Sequence, residues 1–219
     1  MKAAIFDMDG TVLDSMGMWQ SIVPEFVAHY NIDLTADQIL SLKGMNLMQA
    51  AGFFSDNFGI NLTPSDIFRE WDEIILRNYL TNVQPKFCAY KYLCALKELG
   101  VTMAIATLTE HHLCEKALEK HDMLELFDVV LTTEDVGGVS KFHPDIFLEA
   151  ANRLNADIKD CIVFEDSLYA IKTAKAAGFT VWAIADENQG DQETIRALCD
   201  RYIEDYSSLL KEIKQATTA

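Results

Sequence analysis

"AAIFDMDGTVLDS", residues 3–15, is the stretch whose reading decides the fold. Four apolar residues run without alternation into an acid, the pattern of a strand buried on both faces. The run stops at Asp7, a second acid, Asp9, stands two places on, and Gly10-Thr11 follow. Residues i and i+2 of an extended segment face the same way, so Asp7 and Asp9 can flank one chemical group. Gly10 permits the sharp turn that aims both acids.

From Met16 to about Leu80 the pattern is helical only. Met16, Trp19, Val23, Phe26, Val27 and Tyr30 recur at helical spacing. Thr35 and Gln38 form a capping-box pair, and Thr63-Pro64 reads as N-cap and first helical position. After Pro85 strands and helices alternate. A helix over about 87–99 ends at Gly100, then "VTMAIAT" reads as a strand. A helix over 110–121 and the strand "FDVVLTT" follow, then a helix opening at Pro144 and the strand "DCIVFED". A helix over 167–177, closed by Gly178, and the strand "TVWAIA" complete the series. Such alternation implies right-handed crossovers and a mostly parallel sheet. The expected architecture is therefore α/β, a Rossmann-like parallel sheet with an inserted all-helical cap. The core is expected to comprise residues 1–15 and 84–219, and the cap residues 16–83.

The 219 residues carry 18 Lys+Arg against 34 Asp+Glu, a formal net charge of −16. Nucleic acid and anionic membrane surfaces both need a basic face, so neither is an expected partner. No apolar run approaches the ~20 residues that span a bilayer, and the N-terminal residues lack the pattern of a signal peptide. The cysteines (Cys88, Cys94, Cys114, Cys161, Cys199) form no C-x-x-C pair, as expected of reduced thiols in a cytoplasmic protein.

Ligands of open α/β sheets gather at the carboxyl ends of the strands. Here those ends carry Asp7 and Asp9, then Thr107, then Glu165-Asp166, with Lys141 in the loop after "VVLTT". A lone polar residue at a strand end is most often a helix cap or a loop residue. Several together, with Asp-x-Asp-Gly-Thr at the first, are far more specific. By the same reasoning Thr109 reads as a helix cap and His143 as a helix starter. His111-His112 does not read as a metal pair, since adjacent helical residues do not face each other.

The sequence resembles the haloacid dehalogenase superfamily of phosphotransferases over its whole length. Asp7, Asp9 and Thr11 match the first motif, and "MAIAT", ending in Thr107, the second. Lys141 in "SKFHPDIF" matches the third, and Glu165-Asp166-Ser167 followed by "AIKTAKAAG" the fourth. The closest likeness is to the subgroup of β-phosphoglucomutase-like and phosphoglycolate-phosphatase-like enzymes. The resemblance implies Asp7 as a nucleophile that forms an aspartyl-phosphate and Asp9 as its acid/base partner. It implies Thr107, the Leu108 backbone N–H and Lys141 as phosphate-binding groups. Mg²⁺ is the implied cofactor, held by Asp7, Asp166 and the Asp9 carbonyl, with Glu165 binding directly or through water, or serving as a structural group.

The departures bear on the reaction. Leu108 stands where Asn or Ser is usual, Phe142 where Pro often follows the lysine, and Lys86 where Gly often follows Pro85. In the cap, Trp19 aligns with a histidine of the β-phosphoglucomutases, and Lys43-Gly44 is followed by "MNLMQ", with no arginine. A mutase must grip a second phosphate, and a fixed cation is the natural grip. Its absence favours hydrolysis over a phosphomutase, and Asp9 speaks against a dehalogenase. A phosphonatase would need Lys43, the only lysine of the cap, as a Schiff base. Trp19, Lys43 and Met45, with Met16 and Met18, are candidate substrate-facing residues or simply cap core. The expected activity is a Mg²⁺-dependent phosphatase acting on a small phosphorylated metabolite, a sugar phosphate in the first instance. The alternatives are the phosphomutase and a non-catalytic phosphate-binding or regulatory module. The sequence does not fix the oligomeric state, and a monomer is compatible with it.

Overall fold

The computed structural model describes residues 1–42 and 45–218. Lys43, one of the candidate substrate-facing residues, and Gly44 lie outside the described residues. The chain runs β1 (Ala3–Phe6), α1 (Met16–His29), α2 (Ala36–Leu42), α3 (Leu47–Asn57), α4 (Pro64–Thr81), α5 (Ala89–Glu98) and β2 (Thr102–Thr107). It continues α6 (His111–Glu119), β3 (Val129–Thr132), α7 (Asp145–Arg153), β4 (Cys161–Glu165), α8 (Leu168–Ala176) and β5 (Thr180–Ile184). It ends α9 (Gln192–Leu198), β6 (Arg201–Ile203) and α10 (Tyr206–Thr218). The five expected strands are present. β6 is an addition that the sequence hides, being three residues long and at the sheet edge.

All the described strand pairs are parallel, in the order β3-β2-β1-β4-β5-β6. The chain builds outward from β1 to β3, returns to β4, and builds outward the other way. β1 and β4 therefore flank the point where the order reverses, the place where α/β sheets bind ligands.

β1 is buried on both faces, which is why its sequence does not alternate. Ala3 and Ile5 join Ala104, Leu131, Val163 and Val181 beneath α7 and α8. Ala4 and Phe6 point the other way, joining Met103, Ile105 and Phe164 with residues of α5, α6 and α10. Phe6 stacks on Phe164 with ring centroids 4.3 Å apart.

Helices α1–α4 form the inserted cap. Its centre is aromatic, with Phe26 4.9 Å from Trp71 and 5.1 Å from Phe54 by ring centroid. Thr63 caps α4 with a reciprocal box, its hydroxyl taking the Asp66 N–H while the Asp66 carboxylate takes the Thr63 N–H. The two connections between cap and sheet run side by side. Asp14 N–H donates to Gln84 O at 2.8 Å, and Lys86 N–H to Val12 O at 2.9 Å. The cysteines are all free. Among the described residues no helix is long and apolar enough to cross a membrane.

Candidate active site

Asp7 stands directly after β1, and its N–H donates to Phe164 O at 2.9 Å, carrying the sheet ladder one step past the strand. β4 ends beside it on Glu165, with Asp166 next. Topology thus brings three acids to one place. One oxygen from each of Asp7, Glu165 and Asp166 lies within 4.8 Å of the others, and all three residues are buried. Lys141, 1% exposed, reaches in from the loop between β3 and α7. Its Nζ donates to Asp7 Oδ1 and, at 2.7 Å, to Glu165 Oε1. The other Glu165 oxygen, Oε2, accepts from the N–H groups of Asp166 and Ser167, both at 2.8 Å, and from the Ser167 hydroxyl at 2.9 Å. Glu165 therefore fastens the lysine to the turn that presents Asp166, and both its oxygens are engaged.

The electrostatics follow from this crowding. Burial pushes the Asp7 carboxyl up to about 7, Glu165 and Asp9 add to the push, and Lys141 opposes it. Burial, then Glu165, Asp7 and Asp186, hold the Asp166 carboxyl well above the usual range. Burial works to lower the Lys141 pKa, but Asp7 and Glu165 outweigh it and leave it raised. One lysine does not balance three buried carboxyls. A hard divalent cation would, and a donor set of oxygens alone suits Mg²⁺ rather than a thiolate- or imidazole-seeking metal. Gly10 keeps this space open. With φ at +85°, a Cβ there would stand 2.0 Å from Asp166 Oδ2.

Asp9 is held by three hydroxyls. Ser15 and Tyr79 donate to its Oδ1 at 2.6 and 2.7 Å, and Thr109 to its Oδ2 at 2.7 Å. Ser15 lies in the outgoing connection, Tyr79 near the end of α4 in the cap, and Thr109 just past β2. The expectation that Thr109 caps the next helix is corrected: Glu110 holds the N-cap position of α6, and the Thr109 hydroxyl goes to Asp9. Thr107, buried at the end of β2, accepts the Thr109 N–H at 3.1 Å on its Oγ1. Leu108 lies between them, half-buried.

Of the cap candidates, Trp19 and Met45 are half-buried and pack against the apolar cluster that joins cap and sheet. The Trp19 indole Nε1 is buried without a hydrogen-bond partner. The two histidines diverge, His111 to Asp135 at 2.8 Å and His112 to Asp72 at 2.5 Å. Sequence reasoning misses Ser15, Tyr79 and Gln189, whose Nε2 donates to Asp166 Oδ2 at 3.0 Å. Ser15 closes the opening stretch and its hydroxyl is a signal. Tyr79 sits four places after the core residue Ile75 and reads as packing. Gln189 comes from the loop after β5 and carries no motif.

A profile of the haloacid dehalogenase-like hydrolases matches residues 4–184. The chain is 29% identical over 179 residues to the fructose-1-phosphate phosphatase YqaB of Escherichia coli (strain K12), covering 80% of this chain and 91% of that one. It is 27% identical over 184 residues to the bifunctional riboflavin kinase/FMN phosphatase of Arabidopsis thaliana, covering 84% of this chain but only about half, 48%, of that protein. Among solved structures, CbbY from Rhodobacter sphaeroides in complex with phosphate superposes with a TM-score of 0.79 at 21% identity, over 95% of this chain and 96% of that one. The profile takes in β1 through β5, and with them every strand end that carries an acid of the site. The chain therefore belongs to the haloacid dehalogenase-like hydrolases.

Proposed function

We propose that the protein is a Mg²⁺-dependent phosphatase that hydrolyses a small phosphorylated metabolite, a sugar phosphate, through an aspartyl-phosphate on Asp7. The observation that carries this reading is the convergence of Asp7, Lys141, Glu165 and Asp166 on one buried point, with Asp9 fixed two residues from the first. The activity of the E. coli relative, named for fructose 1-phosphate, supports the substrate class.

Asp7 and Asp166 are the freer carboxylates and would hold the metal with the Asp9 carbonyl, Glu165 positioning Lys141 and the 165–167 turn. When bound, Mg²⁺ would neutralise phosphoryl oxygens and favour the ionised form of Asp7. In the first step an Asp7 carboxylate oxygen forms a bond to phosphorus, the ester P–O bond breaks, and Asp9 gives its proton to the leaving oxygen. In the second step water attacks phosphorus, Asp9 takes a proton from it, and the Asp7–phosphorus bond breaks to release phosphate. Lys141 stays charged throughout, and with Thr107 and the Leu108 N–H it would meet charge that spreads over the phosphoryl oxygens. Residues 16–83 would act as the cap that excludes bulk water, hinged at the paired connections near 13–17 and 80–85.

The test is release of p-nitrophenol from p-nitrophenyl phosphate with and without Mg²⁺, by the wild type and Asp7→Asn. The expected result is metal-dependent turnover that falls by at least ~10³ in kcat in the variant, as for other lost nucleophiles. An Asp7→Asn protein of wild-type activity would overturn the assignment.

A further inference from the structure

Gln189 reaches Asp166 from the loop after β5, which supplies no acid of the site. Its Nε2 donates to Asp166 Oδ2 at 3.0 Å. The same oxygen lies against Gly10, where an added Cβ would stand 2.0 Å from it. Asp166 Oδ2 is thus enclosed on two sides, by a backbone turn and by an amide.

The loop that carries Gln189 is tied down along its length. Asp186, 4% exposed, accepts the Asn188 N–H on Oδ1 at 2.8 Å. Gln192, at the start of α9, donates to Asp186 O at 3.0 Å and to Gln189 O at 2.6 Å. Its own Oε1 accepts from the Tyr202 hydroxyl at 2.6 Å. Two further ties come from the cap side. Gln20 of α1 donates to Asn188 O at 2.8 Å. Lys86, in the returning connection, donates to Asp186 Oδ2 at 2.7 Å and to Ala185 O at 3.1 Å, and its Nζ lies 3.5 Å from Asp14 Oδ1 in the outgoing one. A glycine after Pro85 could make none of these side-chain contacts, so this clamp comes with the lysine.

We propose that Gln189 is a positioning residue for Asp166, holding Oδ2 so that Oδ1 is presented to the metal, and that Lys86 acts through Gln189 by fixing the loop. The inference rests on the metal site of the phosphatase reading and deepens it. The terminal torsion of an aspartate is soft, so an unrestrained carboxylate must be oriented when the ion arrives. A donor already on one oxygen removes that cost. Carboxylates that ligate metals are held in this way, and loss of the holding partner typically costs about 10–100-fold in metal affinity or activity. Lys86 separates placement from charge. Deleting a cation near the acids would, by its field alone, tighten Mg²⁺ binding. Through a loosened loop the same deletion weakens it.

The test is a Mg²⁺ titration of the full chain as wild type, Gln189→Leu, Lys86→Met and the double variant. Each is read in two ways. The first is the Mg²⁺ concentration needed for a given rise in melting temperature, which requires no turnover. The second is the half-saturating Mg²⁺ for hydrolysis of p-nitrophenyl phosphate. Melts in EDTA establish folding. Gln189→Leu should raise both concentrations at least ~10-fold, while kcat at saturating Mg²⁺ falls by a smaller factor. Lys86→Met should raise them too, and in the Gln189→Leu background it should add nothing, as for two residues that act as one unit.

An unchanged Mg²⁺ requirement in Gln189→Leu, with or without a lower kcat, would overturn the inference. A lower requirement would also overturn it, by showing that the amide competes with the ion. Tighter Mg²⁺ binding in Lys86→Met, or factors that multiply in the double variant, would overturn the role of Lys86. If Lys86→Met does not fold, Gln189→Leu decides the assignment of Gln189 alone. The expected melting shifts without turnover of any phosphate ester would uphold this inference and remove the phosphatase reading. A wild type whose melting ignores Mg²⁺ would remove the metal site and this inference with it.

Discussion

The Tyr79 hydroxyl, buried near the end of the last cap helix, donates to Asp9 Oδ1 at 2.7 Å. The cap therefore holds one of the two acids of the sheet directly. Burial, with Asp9 adding, keeps the phenol well above its usual pKa, so it remains a donor across the working range.

Tyr79→Phe keeps the ring and removes only that donor, while Ser15 and Thr109 still hold Asp9. A hydrogen bond to a charged group contributes about 1.5–3 kcal/mol, and two remaining donors blunt the loss. A fall in kcat of about tenfold, equivalent to ~1.4 kcal/mol, is expected. KM should change little, because the hydroxyl is assigned to positioning rather than to binding. A comparison of kcat and KM on one substrate checks this. A rise in KM at constant kcat would instead place the phenol against the substrate.

Gly10 makes a second prediction. Its φ of +85° is strained for any residue with a Cβ, and that Cβ would lie 2.0 Å from Asp166 Oδ2 and 2.8 Å from Met16 Cγ. Gly10→Ala must push Asp166 aside or twist the turn. Activity should drop by at least ~10²-fold, since about 1 Å of misplacement in a site can cost that much. The loss should persist at saturating Mg²⁺. Activity assays across a Mg²⁺ titration decide it.

The acids explain why the opening stretch is so legible and other parts are not. Asp7 and Asp9 share a short local segment, and β1 is buried on both faces, so residue order alone displays them. Lys141 and Glu165-Asp166 are local signals too, each sitting after an apolar run of strand type. Tyr79 and Gln189 reach the site from about 70 residues beyond Asp9 and 23 beyond Asp166. Only tertiary packing makes that approach, and an amphipathic pattern cannot separate a tyrosine that packs from one that donates. Thr109 fails for a related reason: a hydroxyl before a helix fits a cap as well as a partner for Asp9, and the fold chooses. β6, with two half-buried residues of three, lacks the length to show a period.

Removal of the metal should reveal the strain among the carboxyls. Burial raises both Asp7 and Asp166 and Glu165 adds to each, so in the metal-free protein their ionisation opposes folding. With folded values above the unfolded ones, metal-free stability should fall as pH climbs from about 4 through 7. Binding to the native state alone adds about 2.7 kcal/mol when the free metal is at 100 times its Kd. Melting at pH 8 should therefore shift upward with Mg²⁺ and return with EDTA. Asp166→Asn should melt higher than the wild type in EDTA and gain little from Mg²⁺. An equal Mg²⁺ shift in both proteins would put the ion elsewhere.

Glu110 gives a pH dependence that can be isolated from the Asp7, Glu165 and Asp166 cluster. Burial pushes its carboxyl up to about 7 from an ordinary 4.5. The N–H groups of Glu110 and Leu47 and the nearby His112 pull it down, and Glu134 adds to the rise. Below about pH 4.5 both folded and unfolded chains are protonated and the group contributes nothing. Between there and pH 7 the unfolded chain has lost a proton that the native state keeps, so stability declines as pH rises. Above pH 7 the whole penalty is present, on the order of 3–4 kcal/mol at ~1.4 kcal/mol per pH unit. Glu110→Gln stays neutral at every pH and keeps an oxygen for the Leu47 N–H. Its stability should match the wild type near pH 4.5 and exceed it increasingly up to pH 8, with Asp7 and Asp166 cancelling from the difference. Urea melts of the two proteins in EDTA at pH 5, 6, 7 and 8 measure that difference directly, and a constant offset would show that Glu110 titrates normally.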